Sequence, residues 1–74
     1  MAERRDPVGQ LLDRVVRDEY PRILAAVARS VGDLDLAEDA VRDAIGAAIA
    51  AWARSGPPEV PAAWLTTTAR RRAI

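Results

Sequence analysis

Apolar residues recur every three to four positions along nearly the whole chain, and the repeat breaks only where glycine and proline cluster. That period limits the fold to packed helices, because it gathers side chains on one flank of a 3.6-residue turn. No stretch alternates apolar and polar residues long enough for a strand, and β-branched residues are scattered. The breaks fall at Gly32 and at Gly56-Pro57-Pro58, so the chain divides into three helical segments.

The first segment is expected from about Pro7 to Val31, with Asp6 as its cap and Pro7 at the first helical position. Val8, Leu11, Leu12, Val15 and Val16 follow the period, and Tyr20, Ile23, Leu24, Val27 and Val31 continue it. Pro21 removes one backbone donor and crowds the turn before it. The apolar phase survives across it, which favours a kink over a restart. Gly32 supplies the stop. The second segment is expected to begin at Asp35, which stands three before Glu38 in capping-box spacing. It runs to about Arg54, with Val41, Ile45, Ile49 and Trp52 as its buried stripe and Ala37, Ala44 and Ala48 beside them. The third begins near Pro61 and runs to the end, burying Ala62, Leu65, Ala69 and Ala73.

The fold class that follows is all-α: a compact three-helix bundle, its first helix kinked at Pro21. Seventy-four residues make one small domain, residues 1–74. The chain has no His and no Cys, which removes the usual general base, the commonest metal ligand and any disulfide. No enzymatic activity, cofactor or metal is expected. Asp35, Glu38, Asp39 and Asp43 offer carboxylates for a hard cation, but capping and solvating a helix is the simpler use of them. No stretch has the length of a membrane span and no leader is recognisable, so a soluble, cytoplasmic protein without membrane contact is expected.

Charge is zero overall but unevenly placed. Asp33 to Asp43 hold five acids against one Arg, while Val60 to Ile74 hold three Arg and no acid. On the second helix, the side away from the stripe carries Asp39, Arg42, Asp43, Gly46, Ala47 and Ala50. A mid-helix glycine costs roughly 1 kcal/mol of propensity. An Ala-rich composition accounts for this face blandly; a docking site for a basic partner helix accounts for the glycine too. On the third helix, Trp64, Thr67, Thr68 and Arg71 share the side opposite the core, flanked by Arg70 and Arg72. An indole stacks bases, and hydroxyls and guanidiniums hold phosphates. Trp64 is also a natural core residue in a chain without Phe, and arginines in a last turn favour the helix dipole without any ligand.

The stretches "GDLDLAEDAVRDAIGAAIAAW" and "PAAWLTTTARRRAI", joined by a proline-containing loop, resemble region 2 of bacterial RNA polymerase sigma factors, most nearly the extracytoplasmic-function type. "EYPRILAAVARSVGD" fits the preceding helix, and the resemblance spans roughly Leu11 to Ile74. It implies a helical domain whose second long helix docks on the β′ clamp helices of the polymerase core, here through Asp35, Asp39, Arg42, Asp43 and Gly46. It implies that the following loop, from Arg54 to Val60, and the last helix meet the non-template strand of the promoter −10 element. Arg54, Trp64, Thr67, Thr68, Arg70 and Arg71 are the DNA-binding residues so implied. An anti-sigma or other regulatory domain is a further implied partner.

Three positions depart from the family's habit. Arg42 stands where Gln is frequent, and would either pair internally or repel a basic partner. Ile45 replaces a frequent Phe, and Arg71 replaces a frequent Asn, trading base reading for phosphate grip. No region 4 is present, so the chain is expected to be a truncated piece whose DNA-facing helix is cut inside its basic stretch. The rival function is a sigma-like interaction module that binds a regulator without promoter contact.

Overall fold

The computed structural model describes residues 6–73 and contains three helices in a mutually packed bundle: α1 (Pro7–Val31), α2 (Leu34–Ser55) and α3 (Pro61–Ala73). No strand occurs among the described residues. Each boundary has a local cause. Pro7 occupies the first helical turn of α1, where its missing N–H is no loss. Gly32 ends α1 at φ 81°, a left-handed conformation that a Cβ disfavours, and its N–H donates to the Ala28 carbonyl. Gly56, at φ 86°, ends α2 with its N–H on the Trp52 carbonyl, and two prolines follow. The α1–α2 connection is only Gly32 and Asp33.

Both expected caps need correction. Asp33, not Asp35, caps α2: its carboxylate accepts from the Leu36 N–H at 3.0 Å, and its carbonyl accepts from Ala37 at 3.0 Å. The chain leaves Gly32 already turning, so the first aspartate in reach takes the capping position. Asp35 lies inside the first turn, where its charge favours the dipole. Asp6 is the N-cap residue of α1, and its carbonyl accepts from Gln10, but its side chain makes no cap hydrogen bond. At Pro21 the helix does not restart. α1 continues as one element, and Pro21 and Arg17, whose carbonyl loses a donor there, are both exposed.

The core is Leu12, Ile23 and Val27 of α1, Ala37, Ala40, Val41, Ala44, Ala48 and Trp52 of α2, and Leu65 and Ala69 of α3. Large members such as Trp52, Leu65, Val27 and Val41 each stabilise the fold by about 1.5–3 kcal/mol through burial. The buried line of α2 differs from the expected one. It is centred on alanines, while Ile45 is only half-buried and Ile49 is 57% exposed. The reason is steric. α2 touches both other helices, and small side chains along its inner line let two backbones approach at once. The single large indole of Trp52 then fills the space at its C-terminal end. Of the expected α3 core, Leu65 and Ala69 are fully buried and Ala62 and Ala73 half-buried. Ile74 lies outside the described residues.

Candidate polymerase and nucleic-acid interfaces

The outward row of α2 follows from its inward row. With Ala37, Ala44 and Ala48 facing in, residues about 180° away at 100° per residue must face out. Asp35, Asp39, Arg42, Asp43 and Gly46 are all exposed. Arg42 pairs with Asp39 across one turn, Nη1 to Oδ1 3.6 Å, with both side chains largely in solvent. So the arginine at this position turns to its own helix. An exposed pair of this kind contributes at most about 1 kcal/mol, so a competing partner breaks it easily. Asp35 and Asp43 have no ion-pair partner among the described residues. The carboxylates do not gather, and no group of three or more metal-ligating side chains occurs there.

Gly46 is open. A Cβ built on it meets nothing within 4 Å, so the fold itself makes no demand for glycine. The propensity lost at this position is not returned by any internal contact.

On α3, Leu65 and Ala69 fix the inner face, and the opposite face carries the remaining candidates. Thr67, Arg70 and Arg71 are exposed; Trp64 and Thr68 are half-buried. Arg72 is exposed too. None of Arg70, Arg71 and Arg72 lies in an ion pair with a carboxylate among the described residues. Thr66, between the two faces, donates its hydroxyl to the Ala62 carbonyl at 2.9 Å, which ties it to the helix and not to a ligand. Arg54 stands exposed in the last turn of α2, just before the Gly56–Val60 loop. That loop carries Pro57, exposed, and Val60, 60% exposed.

Trp64 is half-buried, part core and part surface. Its ring packs on the core, edge-on to Trp52 with centroids 5.4 Å apart and planes at 73°. An edge-to-face pair of this kind adds about 0.5–1.5 kcal/mol beyond area burial. The rest of the indole stays at the surface beside Thr67, Thr68 and Arg71. Trp52 is fully enclosed, and its Nε1–H has no hydrogen-bond partner. Sequence reasoning placed Trp52 in the core but did not foresee that the two indoles meet.

Two outward helical rows, one acidic with a smooth end and one cationic with an aromatic root, thus stand on the three-helix bundle. The family model for Sigma-70 region 2 matches residues 15–74, so the chain belongs to that family, whose domains serve transcription initiation. A protein of Rhizobium meliloti (strain 1021), itself described as uncharacterized, is 38% identical over 63 residues. Those residues are 85% of this chain and 15% of that protein. No solved structure gives a significant match. No described helix is long and apolar enough to cross a membrane.

Proposed function

We propose that this chain is the region 2 domain of an extracytoplasmic-function-type sigma factor, acting in the cytoplasm. The outer row of α2 seats a β′ clamp helix of the polymerase core. Asp39 and Asp43 attract its basic residues, and Gly46 allows close approach. The outer row of α3 holds the non-template strand of the promoter −10 element. Arg70 and Arg71 grip phosphates, Thr67 and Thr68 add hydroxyl contacts, and the exposed part of Trp64 offers a surface for an unpaired base. Arg54 borders the loop that would receive a base drawn out of the stack.

The observation that carries this reading is the availability of the arginines. Three adjacent guanidiniums on one helix end have no carboxylate partner within the described part of the molecule, although the chain contains as many acids as bases. No acid lies on α3, and seven of the eleven lie on α1 and α2. Three arginines neutralising one phosphate each give a log–log salt slope of only about −2 on single-stranded DNA. The domain alone therefore binds DNA weakly, and polymerase supplies the rest of the affinity.

The test is a chemical-shift titration of the labelled chain with two probes: a β′ clamp-helix fragment and a −10 non-template oligonucleotide. The clamp fragment shifts Asp39, Asp43 and Gly46, and the oligonucleotide shifts Thr67, Arg70 and Arg71. Absence of both responses would falsify the reading. Binding of the clamp fragment alone would leave an interaction module without promoter contact.

A further inference from the structure

We propose that the cleft between the first half of α1 and the second half of α2 is a receptor groove for an amphipathic helix carrying a basic residue at one end. The groove encloses about 390 Å³. Val8, Leu12 and Val16 form one wall and Ile45, Ile49 and Ala53 the other. Each wall is an i, i+4, i+8 row, the spacing that receives the matching row of a third helix. The groove uses none of the residues assigned above to polymerase or DNA, so it stands apart from that reading.

α3 packs on the same end of α2, with Trp64 against Trp52, yet the groove side of the α1–α2 pair stays open. Ile49 is left 57% exposed with apolar neighbours on both walls, which a surface isoleucine on an otherwise alanine-rich helix does not require.

The charge at the groove mouth selects the occupant. Asp6 lines the groove, has no ion-pair partner among the described residues, and does not cap its own helix. Its carboxylate leans over Gly9 instead: a Cβ at that position would lie 2.7 Å from Oδ2. The carboxylate stands over the first turn at the groove rim without a capping bond, and is left to a cation that arrives with the occupant. The second acid at the rim, Asp13, is held by Arg17. A second copy of this chain is a poor occupant. Among the described residues, its exposed large apolar side chains outside the groove are Leu34, Leu36 and Val60. Asp33, Asp35 and Glu59 stand next to them in sequence and would be repelled by Asp6. The alanines and leucine of α3 near its arginines are spent on the core.

The experiment is a chemical-shift titration of the full chain with a designed 16-residue helical peptide bearing leucines at i, i+4 and i+8 and an arginine one turn beyond. Two twin peptides replace the arginine by glutamate or the leucines by serine. The arginine peptide is expected to shift Gly9, Leu12, Ile49 and Ala53 selectively. The glutamate twin should bind at least about threefold more weakly, and Asp6→Asn should remove that difference. Ile49→Asp, at an exposed position that does not threaten folding, should abolish the response. Equal binding of the arginine and glutamate peptides overturns the proposal, as does a response located elsewhere or none at all. Groove shifts that grow with protein concentration in the absence of peptide also overturn it, because they assign the groove to a second copy.

Discussion

Replacing Gly46 by alanine separates what the fold wants from what a partner wants. The position lies in the middle of α2, in ordinary helical conformation, and an added Cβ meets nothing within 4 Å. No clash opposes the change. The gain is the full glycine-to-alanine difference for an exposed helix interior, about 0.8–1 kcal/mol. For a domain of this size, 1 kcal/mol raises Tm by about 4–8 °C. The expected outcome is therefore a more stable protein by circular dichroism at 222 nm, with a rise of about 3–8 °C. If α2 seats a helix of the polymerase clamp at Gly46, the same methyl group holds that helix away, and affinity for the clamp fragment falls severalfold while stability rises. A Tm that stays level or drops would refute the steric reasoning, since it requires a neighbour within 4 Å of the added methyl group, where there is none. A higher Tm with undiminished clamp binding would remove Gly46 from the interface and leave only the aspartates to support docking there.

Asp33→Ala removes the one side-chain cap of α2 and should cost about 1 kcal/mol in urea denaturation, whereas Asp35→Ala should cost only a few tenths, through the dipole. Trp52→Ala empties the largest core site at a cost of about 3–5 kcal/mol. That is a large share of the roughly 4–11 kcal/mol a 74-residue domain has to lose, so most of the helical ellipticity should be gone at 37 °C. Ile49→Asn should leave the urea midpoint nearly unchanged while Ile23→Ala costs about 2–5 kcal/mol, and equal costs would contradict the orientation of α2 described here. Arg71→Ala should reduce the salt slope for a −10 non-template oligonucleotide by about 0.7 and leave the clamp fragment's affinity intact.

The helix boundaries were legible because the residues that set them act locally. Gly32 needs its left-handed turn, and Pro57, Pro58 and Pro61 restrict the chain whatever packs around them. The outward rows were legible for a related reason: charge and small size at helical spacing identify a face without knowledge of its neighbours. The inward phase of α2 was not. Judged by side-chain size, Val41, Ile45, Ile49 and Trp52 make the stripe. With helices packing on both sides, the alanines become the line of closest approach, and Ile49 rotates into the open. The cap was misplaced for want of one fact, the direction in which the chain leaves Gly32. "DLDL" offers two aspartates two apart, and the capping-box spacing favours the second. Trp64 stayed ambiguous in the sequence because its environment depends on Trp52, twelve residues earlier across a loop. Asp6 read as a cap because nothing local reveals that a groove opens beside it.

The two-residue passage from α1 to α2 has a mechanical consequence. So short a link, starting at a left-handed glycine, gives the two long helices no slack to swing apart, and α3 braces them both. A body so built transmits position instead of absorbing it: whatever seizes one flank of α2 also fixes where the guanidiniums of α3 stand. The domain then works as a gauge block, setting the gap between whatever holds its two flanks.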